Sequence, residues 1–342
     1  MGHFVSENCA GIHPALLQAM ADVNEGYAAA YGEGDVEAAV AEMFSNMFER
    51  SVAVALVGTG TAANAVAVAV YAPAQGVVLA HESTHCVESE NDAVSMYSGA
   101  PLHTLAGEHG RIAPATLRDR LRRRGAAVAV LSLTQATDAG VVYGRDEIAE
   151  LAREAHTAGL RVHMDGARLA NALATTGCSP ADMTWRQGVD VLSFGITKNG
   201  GSGVDAVVLF DDDPRARARL RFACRRGGHL FPKLRFPAAQ VRAYLRNGLW
   251  LANARHANAM AQELAAAVQD ATGLDPVHPV EINMVYFRFR DDLVAALLAD
   301  GHHVDDWADG SSRIVTSFQT RREDVRAFTA DLRRHHHRPA AG

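Results

Sequence analysis

Short apolar runs alternate with amphipathic segments through the first two thirds of the chain. Runs of four to eight apolar residues are typical of buried strands, and apolar residues three and four positions apart are typical of helices. The helical pattern occurs at residues 35–48 and 145–158. Strands are predicted at residues 51–58, 77–80, 126–133, 160–164, 189–194 and 205–210. This alternation predicts an α/β fold with a mainly parallel sheet covered by helices on both faces.

The pattern changes after Pro214, where helical segments dominate. Residues 238–272 predict one long helix. Beyond it, strands are predicted at residues 284–290 and 313–318, and helices at residues 292–299 and 322–334. We therefore expect an N-terminal arm and a large domain over residues 1–240, followed by a small α+β domain over residues 241–342.

Composition and charge narrow the class of protein. The 342 residues are 48% hydrophobic, which is enough for a large core. A net charge of −6 argues against a nucleic-acid partner. No apolar run approaches the roughly 20 residues of a membrane span, and residues 1–10 lack a signal-peptide layout. The four cysteines are scattered, as in a reduced protein, so a cytoplasmic location without a membrane partner is expected.

An acid and an amine follow two neighbouring predicted strands. Asp165 comes directly after the strand at 160–164, and Lys198 follows the strand at 189–194. The carboxyl ends of neighbouring parallel strands form the crevice where open α/β sheets bind ligands. Pyridoxal phosphate needs such a pair, a lysine for a Schiff base and a carboxylate for the ring nitrogen. Alternatively, Asp165 caps a helix and Lys198 is a solvated lysine.

A small-residue turn follows the strand at 51–58. A strand that runs into a glycine turn at a helix start predicts an anion site, because free backbone N–H groups and the helix dipole attract phosphate. The spacing of Gly58, Gly60 and Ala63, with Glu82 downstream, also fits a dinucleotide fingerprint. That alternative, a nicotinamide-dependent oxidoreductase, gives Lys198 no role. A purely structural turn is the third possibility.

His81 and His85 have the four-residue spacing seen among metal ligands on helices. No third ligand lies nearby in the sequence, so no metal site is predicted. We interpret His85 as an aromatic base placed over a planar cofactor, and a helix-start histidine without a role is the alternative.

Several motifs together resemble one known family. They are His163-Met164-Asp165-Gly166-Ala167-Arg168, Ser193-Phe194-Gly195-x-Thr197-Lys198-Asn199-Gly200, Gly60-Thr61-Ala62-Ala63-Asn64, Thr134-Gln135-Ala136-Thr137, the segment 250–257 and Pro279-Val280-Glu281. In this order they are similar to the low-specificity L-threonine aldolases. These are β-eliminating lyases that use pyridoxal phosphate and have the aspartate-aminotransferase type of fold. The resemblance covers nearly the whole chain.

The resemblance implies a role for each matching residue at the cofactor. Lys198 would hold pyridoxal phosphate as a Schiff base, and Asp165 would pair with the ring nitrogen. Gly60 and Thr61 would hold the phosphate. His85 would stack on the ring and serve as the catalytic base.

The resemblance also implies substrate contacts and an assembly. Arg168, which also lies against the cofactor, would bind the substrate carboxylate with Arg313 and with Ser6 of the arm. A guanidinium suits this task because it binds both carboxylate oxygens at once. Lys233 or Arg235 would reach the phosphate of a neighbouring subunit. A homodimer or homotetramer with shared active sites is therefore expected.

The implied reaction is reversible cleavage of the Cα–Cβ bond of L-threonine, L-allo-threonine or a related β-hydroxy-α-amino acid to glycine and an aldehyde. A β-eliminating lyase or a transaldolase of secondary metabolism would use the same cofactor chemistry and is the alternative.

The chain departs from the family at positions that shape the substrate pocket. Its early Ser-Asp-Asn is Ser6-Glu7-Asn8 here, and Tyr-Gly-Asp-Asp is Tyr31-Gly32-Glu33-Gly34. Thr137 replaces a histidine that contacts the β-hydroxyl in one branch, and residues 302–307 lack the aromatic character expected before Arg313. We expect Tyr31 and Thr137 at the pocket wall, so these departures leave the substrate open.

Overall fold

The computed structural model describes residues 3–31, 35–123, 128–307 and 309–336. Its main feature is a seven-stranded sheet with the strand order β1-β7-β6-β5-β4-β2-β3. The strands are β1 (Ala53–Val57), β2 (Val77–His81), β3 (Leu102–Leu105), β4 (Val128–Thr134), β5 (Arg161–Gly166), β6 (Val191–Phe194) and β7 (Asp205–Leu209). All pairings are parallel except those of β7, which is antiparallel to β1 and β6. The predicted α/β fold with a mainly parallel sheet is confirmed.

All six predicted strands of this sheet are present, with bounds that differ by a few residues. Residues 126 and 127 of the strand predicted at 126–133 lie outside the described residues. Every residue of β2, β6 and β7 is buried, which is why these strands read as continuous apolar runs. The edge strand β3 was not predicted, because its two central residues are exposed and interrupt the apolar run.

Helices cover both faces of the sheet. The helices before the small domain are α1 (Pro14–Asp22), α2 (Asp35–Met47), α3 (Gly60–Ala69), α4 (His85–Glu88), α5 (Ala93–Ser98), α6 (Pro114–Arg122), α7 (Arg145–Thr157), α8 (Leu169–Thr176), α9 (Pro180–Met183), α10 (Pro214–Arg226) and α11 (Arg235–Leu245). Val207 and Leu209 of β7 pack with α3 and α10, whereas Ala206 and Val208 pack with α2, α7, α8 and α11. Because successive side chains of a strand point to opposite faces, these are two separate layers.

The predicted single helix over residues 238–272 is wrong. α11 ends at Leu245, and a separate helix, α12 (Leu249–Thr272), follows a short 3-10 turn. Asn247 and Gly248 between them have φ angles of 55° and 70°, in the left-handed region that interrupts a right-handed helix. Both flanking segments are rich in helix formers, so the apolar pattern alone did not reveal the break.

A second core forms around a small antiparallel sheet with the order β8-β10-β9. Its elements are β8 (Met284–Phe287), α13 (Asp291–Ala299), β9 (Asp305–Asp306), β10 (Ser312–Val315) and α14 (Arg322–His336). The C-terminal half of α12 packs on it. Phe4 of the N-terminal arm joins this core, and its ring lies 5.3 Å from that of Phe328. The arm is therefore held by the small sheet, beside the C-terminal end of the large sheet's strands.

Within the described ranges, no helix is both long enough and apolar enough to cross a membrane.

Candidate active site

A cavity of about 420 Å³ lies at the carboxyl ends of β5 and β6. Asp165 near the end of β5 and Lys198 after β6 both line it. β5 and β6 are parallel neighbours, as predicted, and pair Asp165 with Ser193. β1 is antiparallel to β7, which is itself antiparallel to β6, so β1 points the same way as β5 and β6. The turn after β1 therefore reaches the same edge of the sheet and supplies Gly58 and Gly60 to the cavity.

Asp165 is buried and held by hydrogen bonds at both carboxylate oxygens. Its Oδ1 accepts from the backbone N–H of Ala167 at 2.9 Å. Its Oδ2 accepts from Nδ2 of Asn64, a buried residue of α3, also at 2.9 Å. These donors stabilise the ionised carboxylate and fix its direction.

The start of α3 offers unpaired backbone donors to the cavity. Thr59 caps the helix, because its Oγ1 accepts from the backbone N–H of Ala62 at 3.1 Å. The N–H groups of the first helical turn have no acceptor within the helix. A Cβ built on Gly60 would meet nothing nearer than Asp205 Oδ2, at 4.0 Å. The position is therefore open to a small anion.

Lys198 lies in a short 3-10 turn, Thr197–Asn199, that follows β6. The segment between β6 and this turn packs closely on the loop after β5, since a Cβ on Gly195 would lie 2.3 Å from the carbonyl oxygen of Ala167. Burial, and then the positive charge of Arg168, lower the pKa of Lys198. A lower pKa increases the fraction of neutral amine, which is the nucleophilic form.

His85, the first residue of α4, lines the cavity with its side chain 41% exposed. Its backbone N–H donates to Asp138 Oδ2 at 2.9 Å. Its ring Nδ1 lies 3.0 Å from Oε1 of Glu90, whose side chain is 1% exposed. The ring is thus held from one side and open to the cavity on the other. His81 is directed elsewhere, since its Nε2 lies 3.2 Å from the carbonyl oxygen of Gly107.

A second cavity of about 550 Å³ adjoins the first and shares His85 and Lys198 with it. The residues expected at the substrate carboxylate, Ser6, Arg168 and Arg313, all line this second cavity. Ser6 caps a short 3-10 helix of the arm, because its Oγ accepts from the backbone N–H of Asn8 at 3.1 Å. The arm, the large sheet and the small sheet therefore meet at this cavity.

Arg168 forms a buried ion pair with Glu7 of the arm. Its Nε and Nη2 donate to the two carboxylate oxygens of Glu7 at 2.6 and 3.0 Å. Asn283 also donates to Glu7, at 2.8 Å. Burial opposes ionisation of Glu7, but the charge and hydrogen bonds of Arg168 outweigh it and lower the pKa of Glu7 to about 2. Nη1 of Arg168, which lies 4.0 Å from Asp138, remains the donor for a further ligand.

Arg313, on β10, is held by the segment that precedes it. Its Nη2 donates to Asp305 of β9, and its guanidinium carbon lies 4.4 Å from the ring centroid of Trp307. Its Nε is buried and has no hydrogen-bond partner within residues 3–31, 35–123, 128–307 and 309–336. Contrary to the expectation that residues 302–307 lack aromatic character, Trp307 supplies an aromatic ring, and with the carboxylate of Asp305 it fixes the guanidinium at the edge of the cavity.

Four expected site residues lie outside both cavities. Thr137 is fully buried, and its Oγ1 donates to the carbonyl oxygen of His109 and accepts from the backbone N–H of Val141. Its hydroxyl is thus used within a turn, which differs from the expected place at the pocket wall.

Tyr31, Lys233 and Arg235 also lie away from Lys198. Tyr31 is 53% exposed and lines a separate groove, and Lys233 lines a shallow depression. Arg235 donates to the carbonyl oxygen of Gly26 at 3.2 Å. Within one chain these residues do not contribute to the cavities. Gly32, Glu33 and Gly34, the altered family motif, lie outside the described residues.

Sequence reasoning assigned no role to Asn64, Glu90 or Asp138, which all line the first cavity. Asn64 ends the small-residue motif of α3, and Asp138 directly follows the polar cluster after β4. Glu90 is five positions after His85, a spacing with no helical or strand meaning. Only packing shows that its side chain turns back to the histidine.

The fold and the site define an α/β enzyme with a lysine, a carboxylate and an anion site in one cavity. The sequence profile of the beta-eliminating lyase family matches residues 3–290, and the chain belongs to this family of lyases.

Two relatives and one solved structure are similar over almost the full length. The chain is 37% identical to a low specificity L-threonine aldolase of Pseudomonas aeruginosa and 35% identical to one of Pseudomonas sp. (strain NCIMB 10558). Each alignment spans 336 residues and 96% of both chains. A threonine aldolase structure from Leishmania major has a TM-score of 0.90 at 24% identity, covering 98% of this chain and 99% of that one. This structure shows the shared fold.

Family membership implies pyridoxal phosphate, and the residues present fit that group. The ring-nitrogen partner would be Asp165, the phosphate site would be the open start of α3, and the attachment point would be Lys198. In the described part of the chain, two buried oxygens of cavity-lining residues, Oδ1 of Asn64 and Oε2 of Glu90, have no hydrogen-bond partner. The nicotinamide alternative is wrong, because the chain belongs to the lyase family.

Proposed function

We propose that this protein is a pyridoxal-phosphate-dependent aldolase. It cleaves the Cα–Cβ bond of L-threonine, L-allo-threonine or a related β-hydroxy-α-amino acid to glycine and an aldehyde. The observation that carries the proposal is the cavity shared by Lys198, Asp165, His85, Arg168 and the start of α3, with Arg313 in the adjoining cavity. The names of the two Pseudomonas relatives support the same reaction.

When bound, pyridoxal phosphate supplies a carbonyl that reacts with amines and a ring that withdraws electrons from Cα. Lys198, whose pKa is lowered by burial and by the charge of Arg168, would hold the cofactor between turnovers. The fixed carboxylate of Asp165 accepts a hydrogen bond from the ring nitrogen and keeps a proton there. The backbone N–H groups of Gly60 and Thr61 bind the phosphate.

The substrate side of the site orients the bond that breaks. Arg168 and Arg313 bind the substrate carboxylate through donors that Glu7 and Asp305 leave free, and Ser6 adds a hydroxyl. Anchoring the carboxylate limits rotation about the N–Cα bond. His85 then removes the proton from the β-hydroxyl, and the O–H electron pair forms the aldehyde carbonyl. The electron pair of the breaking Cα–Cβ bond stays on Cα, where a proton completes glycine. A positioned base contributes roughly 10²–10⁴-fold to such a step.

Two measurements test this proposal. Lysine occurs in the chain only at positions 198 and 233. Borohydride reduction of the cofactor-loaded protein should therefore attach the cofactor mass to the peptide that contains Lys198. Lys233→Arg is the matched control and should keep that label, whereas Lys198→Ala should lose both the label and the activity. Absence of the label from wild-type protein would overturn the cofactor assignment.

Product analysis with L-threonine then distinguishes the reactions. Glycine and acetaldehyde in equal amounts are expected. An α-keto acid and ammonia would instead show the β-elimination that the family's name describes.

Three further points stay predictions. The division near residue 240 is supported by the second core around β8 and β10, although Phe4 of the arm belongs to that core. A dimer or tetramer would give Tyr31, Lys233 and Arg235 a role at a neighbouring copy's site, and sedimentation of the loaded protein tests it. A cytoplasmic location is tested by cell fractionation.

A further inference from the structure

We propose that Glu90 is a positioning residue that sets the tautomer of His85. Its carboxylate holds the hydrogen on Nδ1 and leaves Nε2 as the basic nitrogen that faces the cavity. This inference deepens the proposed function, on which it rests, because it explains how His85 can take a proton from a substrate hydroxyl.

The first support is the geometry of the pair. Oε1 of Glu90 lies 3.0 Å from Nδ1 of His85, and the same oxygen accepts from Nδ2 of Asn64 at 3.0 Å. An ionised carboxylate only accepts hydrogen bonds, so Nδ1 must be the donor. Within the described part of the chain, Nε2 of His85 has no hydrogen-bond partner. The ring therefore presents its unprotonated nitrogen to the open side.

The second support is the shared amide of Asn64. Its Nδ2 donates to Glu90 at 3.0 Å and to Asp165 at 2.9 Å, so both of its hydrogens are used. Oδ1 of Asn64 and Oε2 of Glu90 are also buried, and neither has a hydrogen-bond partner among the residues that the structure describes. Leaving buried acceptors unpaired costs stability, and such groups in native proteins require an explanation. The explanation is that the Asn64 amide bridges two carboxylates. One belongs to Glu90, which contacts His85, and the other to Asp165, which would pair with the ring nitrogen.

The third support is that, among the described residues, the other charged groups near His85 form no hydrogen bond or ion pair with its ring. The groups that line the second cavity with it include Glu88, Asp138, Arg168, Lys198, Asp305 and Arg313. Of these, Asp138 accepts from the backbone N–H of His85 rather than from the ring. Glu90 is the charged residue within hydrogen-bond distance of a ring nitrogen. Control of the tautomer therefore belongs to Glu90.

The test measures the tautomer directly, in the full-length, cofactor-loaded protein without substrate. Nitrogen-15 labelling of histidine distinguishes Nδ1–H from Nε2–H by NMR chemical shift, and a His85→Gln spectrum assigns the His85 signals. We expect the Nδ1–H form in wild type. Glu90→Leu removes the acceptor, so the Nε2–H form that free imidazole prefers should become the main one.

We expect kcat to fall in the variants in which the His85 tautomer changes. In Glu90→Leu we expect kcat to fall about 10- to 100-fold, part of what a positioned base contributes, with KM within about threefold of wild type. Glu90→Gln keeps the shape and an acceptor without the charge, so its kcat should lie between those of wild type and Glu90→Leu. It also keeps the test valid if Glu90→Leu folds poorly. The exposed Glu82, three residues before His85, offers the matched control Glu82→Gln, which should change neither the tautomer nor kcat.

An unchanged His85 tautomer in both Glu90 variants would overturn the proposal, as would an Nε2–H form in wild type. Loss of cofactor binding with an unchanged tautomer would also overturn it, because Glu90 would then act only on structure. Failure of the proposed function is distinguishable, since it appears as absence of glycine and aldehyde from wild-type protein, whereas the tautomer is measured without substrate.

Discussion

Asp165 and Lys198 come from one βαβ unit, whereas Arg313 and Asp305 come from the small sheet and reach the site from the other end of the chain. The first pair is positioned by strands whose register the backbone fixes. The second pair is positioned by an ion pair and a contact with Trp307.

Asp165 and Lys198 form the cofactor end of the site, and Arg313 and Asp305 belong to its substrate end. A single substitution should have different consequences at the two ends. At the cofactor end, backbone pairing holds the side chains, so a substitution there should remove chemistry and leave the fold intact. At the substrate end, Glu7–Arg168 and Asp305–Arg313 hold both the ligand-binding groups and the contact between parts of the molecule. Substitutions there should affect binding or stability more than the chemical step.

Among substitutions that keep Lys198, the largest effect is expected from Asp165→Asn at the cofactor end. Loss of the carboxylate removes the charge that keeps the ring nitrogen protonated, and kcat should fall about 10²–10³-fold, as for loss of one preorganised electrostatic partner. Steady-state kinetics with saturating cofactor measure kcat, and urea unfolding measures the free energy of unfolding. Asp212→Asn, at an exposed position, is the control. A large loss of stability with unchanged kcat would contradict the expectation that substitutions at the cofactor end remove chemistry and leave the fold intact.

Glu7→Gln should destabilise the protein by about 3 kcal/mol. Both partners of the Glu7–Arg168 pair are nearly fully buried, and removal of one leaves the other charge without compensation. Urea unfolding at neutral pH measures the change. Glu263→Gln breaks a mostly exposed pair with Arg322 and should cost less than about 1 kcal/mol. Equal effects of the two substitutions would contradict the structural role of the buried pair.

The Glu7–Arg168 pair also predicts that the free energy of unfolding depends on pH. The pKa of Glu7 is lowered from 4.5 to about 2, so its stabilising contribution is fully present above pH 4.5 and is lost as the pH falls towards 2. The difference in unfolding free energy between wild type and Glu7→Gln should therefore shrink across this window. A difference that stays constant from neutral pH to about pH 3 would show that Glu7 does not titrate as the geometry implies.

Arg313→Ala should raise KM for the amino acid about 10- to 100-fold, the value of one hydrogen-bonded charge pair. The absorbance of the bound cofactor should remain, because Arg313 lines only the outer cavity. Arg288→Ala is the matched control, since Arg288 belongs to the same region but is 59% exposed and pairs with Asp309. Loss of cofactor absorbance with an unchanged KM would show that Arg313 acts on the cofactor and not on the substrate.

The smallest effect is expected at the turn between α11 and α12. Gly248 has a φ of 70° and no heavy atom within 4 Å of a built Cβ, so Gly248→Ala adds backbone strain without a clash. We expect a loss of about 1 kcal/mol in unfolding free energy and unchanged kcat and KM. Arg255→Ala, at an exposed position of α12, should have little effect. A change in KM would show that this turn also sets the position of the small sheet.

The sequence predicted the cofactor end better than the substrate end. Asp165, Lys198 and Gly60 each follow a strand that the apolar pattern reveals, and one cavity receives all three. The resemblance to a family was needed to bring in Arg313, which the pattern alone shows only as a residue beside a late strand. Thr137 was expected at the pocket wall, but its hydroxyl bonds within a turn, which depends on backbone that the pattern does not describe.

The sequence by itself determined the α/β class, the order of most elements and the acid–lysine pair, because strand periodicity and strand ends are local properties. Tertiary structure decided that β7 runs antiparallel and so directs the turn after β1 to the same edge as Lys198. It also decided the pairs Glu7–Arg168, Asp305–Arg313 and Glu90–His85, and the break at Asn247. The pairs depend on where the packed elements place each side chain, and residue spacing carries no signal of that.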